Sequence, residues 1–136
     1  MKSLIVGMGI GQLYKSVLTE LGHEVITVDQ NPAMNADFYD YGIALAVHGK
    51  FDTVHICTPN YTHLNIARHC AIHEAGIVFV EKPGVPDAEL WRAMVTDYMN
   101  TTRFMMVKNN QWRDNIDEMR KHYEESSTVK IGRAHV

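Results

Sequence analysis

The chain has 136 residues, 46% of them hydrophobic, and a formal net charge of −3 at pH 7. This length suits one domain, and the apolar share is enough for a packed core. Because both signs of charge are mixed and no basic field is present, we expect no nucleic-acid partner. No apolar run approaches the roughly 18 residues of a membrane-spanning helix, so we expect no membrane partner either.

Cysteine and histidine usage points to a reduced protein without a metal site. Cys57 and Cys70 are too few for a disulfide framework, and Met1 and Lys2 lead directly into an apolar strand rather than into a secretory segment. We therefore expect a cytoplasmic protein. The eight histidines are scattered along the chain without the paired spacing of metal ligands, and no metal site is predicted.

The first thirty residues predict a strand, a glycine turn, a helix, a second strand and then an acid. The strands cover 4–6 and 25–28. Between them, apolar residues recur at helical spacing, at Leu13, Val17, Leu18 and Leu21. Asp29 ends the second strand, twenty residues after Gly9. This order and this interval are typical of a unit that binds a dinucleotide.

The glycine turn departs by one residue from the usual G-x-G-x-x-G pattern. It reads Gly7-Met8-Gly9-Ile10-Gly11-Gln12, with the third glycine one position early. Either Gly11 provides the close helix–strand contact in a shortened turn, or Gln12 lies where a glycine usually allows that contact. We favour the first alternative, because the apolar face that begins at Leu13 then follows naturally. An ordinary tight turn is a further alternative, and Asp29 at the expected interval argues against it.

Each part of this unit has a role in binding a phosphate or a ribose. Glycine lets backbone N–H groups approach a phosphate closely, and the N-terminus of the following helix directs N–H groups and a positive dipole end towards it. The residues expected at the pyrophosphate are Gly7, Gly9, Ile10 and Gly11. Asp29 is expected to accept hydrogen bonds from both hydroxyls of the adenosine ribose.

The rest of the chain continues the alternation of strands and helices. Predicted strands lie at 36–39, 53–57, 77–80 and 104–107, and predicted helices at 41–48, 62–75, 87–99 and 114–123. The helix at 87–99 is capped by Asp87 and is expected to bury Leu90, Trp91, Met94, Val95 and Tyr98. We therefore predict an α/β fold with a doubly wound, mostly parallel sheet of six strands.

Polar residues follow the predicted strands at the edge where such a sheet binds ligands. In open parallel sheets, ligands lie beyond the carboxyl ends of the strands. Besides the glycine turn and Asp29, this edge receives Thr58-Pro59-Asn60, Glu81-Lys82-Pro83 and Asn109-Asn110. The strands were placed without reference to these clusters, so their convergence on one edge independently supports a ligand site there.

These motifs resemble the glucose–fructose oxidoreductase/inositol dehydrogenase-like (Gfo/Idh/MocA) family. Its hallmark is a strand ending in T-P-N-x-x-H, then a helix, then a strand ending in E-K-P. The chain has Thr58-Pro59-Asn60-Tyr61-Thr62-His63 and later Glu81-Lys82-Pro83. The stretch Leu21-Gly22-His23-Glu24-Val25 is also similar to family members. The resemblance covers about residues 2–110 and implies a Rossmann fold.

The resemblance implies NAD(P)-dependent oxidation of a hydroxyl group on a sugar, polyol or sugar nucleotide. The residues implied at the nicotinamide half of the cofactor are Thr58, Pro59, Asn60, His63, Glu81, Lys82 and Pro83. Lys82 is the candidate catalytic residue, which would reach the nicotinamide ribose and the substrate hydroxyl, and Glu81 would help to orient that end. A partly desolvated lysine has a lowered pKa, which suits proton transfer. The plainer alternatives are a solvated lysine in a turn and, for His63, a helix-start histidine without a chemical role.

Asp29 also bears on the choice of cofactor. Hydrogen bonds to a carboxylate contribute roughly 1.5–3 kcal/mol, whereas the 2′-phosphate of NADP would meet a like charge. No arginine follows in Gln30-Asn31-Pro32. We therefore predict NAD(H) in preference to NADP(H).

The chain is expected to be the cofactor-binding portion of a longer enzyme and to be inactive alone. In the family, a second domain supplies most of the substrate pocket, and we expect that domain to be missing. Residues 1–110 are assigned to the cofactor domain and 111–130 to the start of the connection. Residues 131–136 match one reading frame of a common sequencing adapter and are expected to be an artefact, with a native strand start as the alternative. The full-length protein is expected to take a small sugar-type substrate, and a homo-oligomer is a possible assembly.

Two other functions compete with this interpretation. One is a free-standing NAD-binding module that senses or regulates without catalysis, against which the adapter-like tail argues. The other is a different Rossmann reductase, such as a relative of dihydrodipicolinate or biliverdin reductase. The Thr-Pro-Asn and Glu-Lys-Pro motifs argue against that second alternative.

Overall fold

The computed structural model describes residues 1–82, 85 and 87–107, which form five strands and four helices. The strands are β1 (Lys2–Val6), β2 (Glu24–Val28), β3 (Thr53–Ile56), β4 (Ile77–Glu81) and β5 (Arg103–Val107). The helices are α1 (Met8–Glu20), α2 (Tyr41–His48), α3 (His63–Ile72) and α4 (Ala88–Tyr98). Short 3₁₀ turns cover Pro32–Met34 and Asn60–Thr62. The predicted alternation of strands and helices is confirmed over this part of the chain.

The five strands form one parallel sheet in the order β2-β1-β3-β4-β5. The chain runs from β1 to β2 on one side and then returns to place β3 on the other side of β1. This reversal leaves a crevice at the carboxyl ends of β1 and β3, which is where open α/β sheets bind ligands. Gly7 directly follows β1 and Cys57 directly follows β3. The two strand ends are joined there, because the Cys57 N–H donates a hydrogen bond to the Val6 carbonyl at 2.8 Å.

The predicted edge strand at 36–39 is wrong, so the described sheet has five strands rather than six. Phe38 makes only an isolated parallel bridge with Val28. The Asp37 carboxylate accepts hydrogen bonds from the Thr27 N–H at 2.9 Å and from the Thr27 hydroxyl at 3.0 Å. The Asp37 side chain thus occupies the Thr27 N–H, which the backbone of a neighbouring strand would otherwise accept. This prevents a regular ladder of backbone hydrogen bonds between β2 and residues 36–39.

Helices cover both faces of the sheet, as predicted for a doubly wound fold. The larger core lies between the sheet and α2, α3 and α4, and includes Leu45, Ile66 and Met94. A smaller cluster of Ile5, Met8 and Leu18 lies under α1. Asp87 caps α4 as predicted, because its carboxylate accepts from the N–H groups of Glu89 and Leu90.

The predicted apolar face of α1 is mostly wrong. Leu13, Val17 and Leu21 are 69%, 53% and 69% exposed, and only Leu18 of the predicted set is buried. The face that meets the sheet instead runs through Met8, Gly11 and Leu18. Leu13 lies two residues beyond Gly11, about 200° around a helix, and therefore points away from the sheet. Leu90 of α4, also predicted to be buried, is 44% exposed.

Several predictions fall outside the described residues. They concern Pro83, Asn109, Asn110, the connection at 111–130 with its helix at 114–123, and the tail at 131–136. Within the described ranges, none of the helices combines the length and the apolar character that crossing a bilayer requires.

Candidate functional site

The glycine turn shapes the crevice through two close approaches. Gly7 has a φ of 96°, and a Cβ atom there would lie 2.8 Å from the carbonyl oxygen of Cys57. A Cβ atom on Gly11 would lie 2.7 Å from Cγ2 of Ile5. Gly11 therefore provides the close contact between helix and strand, as in the favoured alternative, and Gln12 is exposed. The turn is short because α1 begins at Met8, directly after Gly7.

Gly9 differs from the other two glycines of the turn. A Cβ atom there would meet no heavy atom within 4 Å, so the space beside its backbone is open. The first turn of α1 carries no acidic residue and its N-cap makes no side-chain hydrogen bond. A helix N-terminus of this kind attracts an anion through its N–H groups and dipole. The open space at Gly9 is therefore suited to a phosphate.

Asp29 faces this helix start from the end of β2. Its Oδ2 accepts a hydrogen bond from the Met8 N–H at 2.8 Å, and its Oδ1 accepts one from the Asn31 N–H at 2.8 Å. These two bonds fix the direction of the carboxylate. Each oxygen of a carboxylate can accept more than one hydrogen bond, so Asp29 retains capacity to bind hydroxyl groups.

One cleft of about 560 Å³ brings part of the predicted site together. The predicted residues that line it are Gly7, Gly9, Asp29, Thr58 and Pro59. Residues that the sequence analysis did not propose also line it, among them Gln30, Tyr39, Asp40, Tyr41, Tyr61 and Asn65. The available signal for these was position alone: Tyr61 lies within the Thr58–His63 motif, and Tyr39 and Asp40 lie directly before the predicted helix at 41–48. The predicted residues Ile10, Gly11, Asn60, His63, Glu81 and Lys82 do not line this cleft.

The turn after β3 is held by its own side chains. The Thr62 hydroxyl donates to the Pro59 carbonyl at 2.6 Å and lies 2.6 Å from the Thr58 hydroxyl. His63 is fully buried below the turn, and its Nε2 donates to the Thr58 carbonyl at 2.7 Å. The structure therefore places His63 behind Thr58, where it fixes the loop. Asn60 begins the 3₁₀ turn and is exposed.

The third cluster follows β4, two strands away from β1. Glu81 is only 7% exposed, and its Oε1 accepts a hydrogen bond from the Tyr14 hydroxyl of α1 at 2.5 Å. Lys82 is exposed, and its backbone N–H donates to the Val107 carbonyl at 3.1 Å. The sequence analysis missed Tyr14. The signal that could have indicated it is a polar-tipped ring three residues after Gly11, on the face of α1 that meets the sheet.

Burial controls the protonation of groups near the site. Burial and the charge of Glu81 raise the pKa of the Cys57 thiol to about 12. Burial and the hydrogen bond to Glu81 raise the pKa of the Tyr14 hydroxyl above its ordinary value. Both groups are therefore uncharged at neutral pH, so Cys57 is a packing residue rather than a nucleophile. In the described part of the chain, no group of histidine, cysteine, aspartate or glutamate could hold a metal ion.

The residues fit an adenine dinucleotide on chemical grounds. The open space at Gly9 is of a kind that suits a phosphate, the Asp29 carboxylate has capacity to accept hydrogen bonds from hydroxyl groups, and both residues line the same cleft. This pairing of a glycine-rich helix start with an acid at the end of the second strand is the arrangement that such a ligand requires.

Solved structures that superpose on this chain include dehydrogenases and an oxidoreductase. The WlbA dehydrogenase from Bordetella pertussis in complex with NADH and UDP-GlcNAcA superposes with a TM-score of 0.72 at 22% identity, covering 91% of this chain and 42% of that chain. The scyllo-inositol dehydrogenase from Lactobacillus casei gives 0.71 at 19% identity, over 92% and 41% of the two chains. An oxidoreductase from Agrobacterium radiobacter, in complex with NAD⁺, L-tartaric acid and magnesium, gives 0.69 at 20%, over 83% and 36%.

At these identities the structural likeness shows the fold, and the chain spans less than half the length of these solved structures. A comparison with curated protein sequences finds no match. A family model covers nearly the whole described region: the Gfo/Idh/MocA model, described as an oxidoreductase family with an NAD-binding Rossmann fold, matches residues 1–109. The chain therefore belongs to the Gfo/Idh/MocA family of oxidoreductases.

Proposed function

We propose that this chain is the cofactor-binding portion of an NAD-dependent oxidoreductase that acts on a CH–OH group of a sugar, polyol or sugar nucleotide. The observation that carries the proposal is the cleft that the open backbone at Gly9 and the Asp29 carboxylate line together. The substrate class is supported by the relatives, since one similar structure holds NADH with UDP-GlcNAcA and another is a scyllo-inositol dehydrogenase.

Binding of the cofactor is divided among the three turns. The N–H groups at the start of α1 bind the pyrophosphate, with Gly7, Gly9, Ile10 and Gly11 shaping the turn, and Asp29 accepts hydrogen bonds from the adenosine ribose. Tyr39 and Tyr61 offer exposed aromatic surface at the same cleft, which suits the adenine ring. Thr58, Pro59 and Asn60 then receive the nicotinamide half.

Lys82 is the proposed catalytic residue. When bound, NAD⁺ supplies the hydride acceptor, and the oxidation of the carbinol to a carbonyl also requires the hydroxyl proton to leave. Lys82 directly follows β4 on the ligand-binding edge, and its amine is the group to which we assign that proton transfer. Glu81, directly before Lys82, would orient the nicotinamide end, and His63 fixes the Thr58 turn through its hydrogen bond to the Thr58 carbonyl.

The charge of the cleft favours NAD over NADP. Among its described lining residues are two carboxylates, Asp29 and Asp40, and neither a lysine nor an arginine. A 2′-phosphate carries further negative charge and would lie beside Asp29 without a cation to pair with it. NAD presents a neutral hydroxyl at that place, which can donate to the carboxylate.

Calorimetric titration of the purified chain with NAD⁺ and with NADP⁺ tests the proposal. We expect NAD⁺ to bind at least about tenfold more tightly, which is a difference of about 1.4 kcal/mol. If a chain shown to be folded by circular dichroism binds neither coenzyme, the proposed function is refuted. Tighter binding of NADP⁺ would refute the cofactor preference alone.

A further inference from the structure

A hydrogen bond between Tyr14 and Glu81 connects the phosphate end of the proposed cofactor site with its nicotinamide end. Tyr14 lies on α1, three residues after Gly11, and its hydroxyl donates to Oε1 of Glu81 at the end of β4. The first element begins at the glycine turn, and the second runs into the turn that carries Lys82. Tyr14 thus connects the part of the chain that shapes the phosphate site with the part proposed to serve the nicotinamide end.

The ring of Tyr14 is held in place by stacking. Its centroid lies 5.1 Å from that of His55 with an interplanar angle of 27°, and His55 lies 4.8 Å from Phe79 with an angle of 9°. This stack runs across β3 and β4 on the face that α1 covers. Because the ring is fixed, its hydroxyl is aimed at Glu81 with little further loss of side-chain freedom.

Glu81 needs such a donor because its carboxylate is almost entirely buried. A buried carboxylate is stable only when hydrogen bonds replace its lost hydration. A phenol is suited to this role, since its raised pKa keeps it a donor throughout the neutral range. The bond therefore fixes the direction of the Glu81 side chain and, through it, the start of the turn at Lys82.

We propose that Tyr14 is a positioning residue for the nicotinamide end of the cofactor, acting through Glu81. The inference rests on the proposed function and adds a residue that none of the motifs contains. Loss of the hydroxyl removes one hydrogen bond from the buried Glu81 carboxylate, so the Glu81 side chain and the adjoining Lys82 shift. The phosphate and adenosine subsites lie at other turns and keep their shape.

Titrations with NAD⁺ and with ADP-ribose, which lacks the nicotinamide, separate the two ends. We expect the unaltered chain to bind NAD⁺ more tightly than ADP-ribose. Tyr14→Phe keeps the stacked ring and removes the hydroxyl. It should weaken NAD⁺ binding by at least about tenfold, as expected for a lost hydrogen bond to a charged group, and leave ADP-ribose binding within about twofold.

A double-mutant cycle tests whether Tyr14 acts through Glu81. Glu81→Ala removes the same bond from the other side and should also lower the affinity for NAD⁺ selectively. Adding Tyr14→Phe to Glu81→Ala should then change the affinity less than about twofold, because coupled residues are not additive. Circular dichroism and urea unfolding establish whether each variant is folded. If Tyr14→Phe does not fold, the comparison of NAD⁺ with ADP-ribose is made with Glu81→Ala.

The outcomes separate this inference from the proposed function. If the unaltered chain binds neither ligand, the proposed function fails. If the chain binds both, but with equal affinity, or if Tyr14→Phe weakens both ligands equally or neither, the positioning role is refuted. An equal loss would show that the bond only stabilises the fold.

Discussion

Gly11 and Ile5 are in direct contact where α1 crosses β1, and a Cβ atom on Gly11 would lie 2.7 Å from Cγ2 of Ile5. Ile5 is fully buried, and its methyl group is attached to a branched Cβ that has little rotational freedom. Neither partner can therefore yield easily. The glycine at this position is a packing requirement of the fold, separate from the role of the turn in binding.

We predict that Gly11→Ala destabilises the protein by about 1–3 kcal/mol, the usual cost of forcing an extra carbon into a packed core. The intrinsic helix preference of alanine offsets less than about 1 kcal/mol of this. Urea unfolding followed by circular dichroism gives the free energy of unfolding. A variant as stable as the unaltered chain would contradict the contact.

Gly9→Ala is the matched control and a prediction of its own. The added methyl group meets no atom within 4 Å, and Gly9 lies in the first turn of α1, so stability should be unchanged or higher by up to about 1 kcal/mol. The same methyl group occupies the space proposed for a phosphate. Calorimetry should therefore show NAD⁺ binding weakened by at least about tenfold. Unchanged binding would place the phosphate elsewhere.

Asp29→Asn should change the choice of cofactor. The amide keeps one acceptor oxygen but loses the charge, and hydrogen bonds to charged groups are worth roughly 1.5–3 kcal/mol against about 1 kcal/mol for neutral ones. We expect NAD⁺ to bind about threefold to thirtyfold more weakly, while NADP⁺ binds no worse, because the repulsion of its 2′-phosphate is gone. Parallel titrations measure the ratio. An equal loss for both coenzymes would indicate that Asp29 acts only on the shape of the turn.

Much of the fold could be predicted because local chemistry and topology agree. The helix Tyr41–His48, the Asp87 cap and the buried strands follow from turn residues and hydrophobic runs. The strand at 36–39 could not be excluded from sequence, because its failure depends on the Asp37 carboxylate reaching Thr27 across a loop. The sequence analysis favoured Gly11 for the contact with the strand but also placed Leu13 and Val17 on the buried face of α1, which the observed contact of Gly11 with Ile5 excludes.

The candidate site could be predicted where its residues belong to one continuous motif. It could not be predicted where residues far apart in the sequence meet. Gly7, Gly9 and Asp29 belong to a single strand–helix–strand unit, and the structure brings them into one cleft. Tyr14 and Glu81 are 67 residues apart, and nothing in the sequence pairs them. Packing of α1 over β1 and β2, with the Tyr14 ring stacked on His55 of β3, brings the Tyr14 hydroxyl to Glu81, so only a three-dimensional structure shows the contact.

Stability should fall in acid because of His55. Burial, with a smaller contribution from the charge of His23, lowers the pKa of His55 from 6.5 to about 4. Between pH 6.5 and about 4, His55 is protonated in the unfolded chain and neutral in the folded chain. The free energy of unfolding is therefore unaffected by His55 above pH 6.5 and decreases as the pH falls from 6.5 to about 4. The shift corresponds to about 3 kcal/mol. Urea unfolding at several pH values measures the slope.

The control for this effect is His55→Phe, which retains a flat ring between Tyr14 and Phe79. It also removes Nδ1, a buried nitrogen without a hydrogen-bond partner. The difference between the two pH profiles isolates His55 from the carboxylates that also titrate in acid. Parallel profiles from pH 6.5 to 4 would show that His55 is not responsible.

Both thiols should be unreactive in the folded protein. Burial raises the pKa of Cys70 to about 12, and burial together with the charge of Glu81 does the same for Cys57. Since only the thiolate reacts, labelling by iodoacetamide at pH 8 should be slower than for a free thiol by about a factor of 1,000. Cys57 gives the more stringent test of protonation, because it lines the cleft and is only partly buried, so access of the reagent is less restricted than at Cys70. Cys70→Ser leaves Cys57 as the single thiol, and rapid labelling of that variant without urea would contradict the protonated state, whereas labelling only in urea would confirm it.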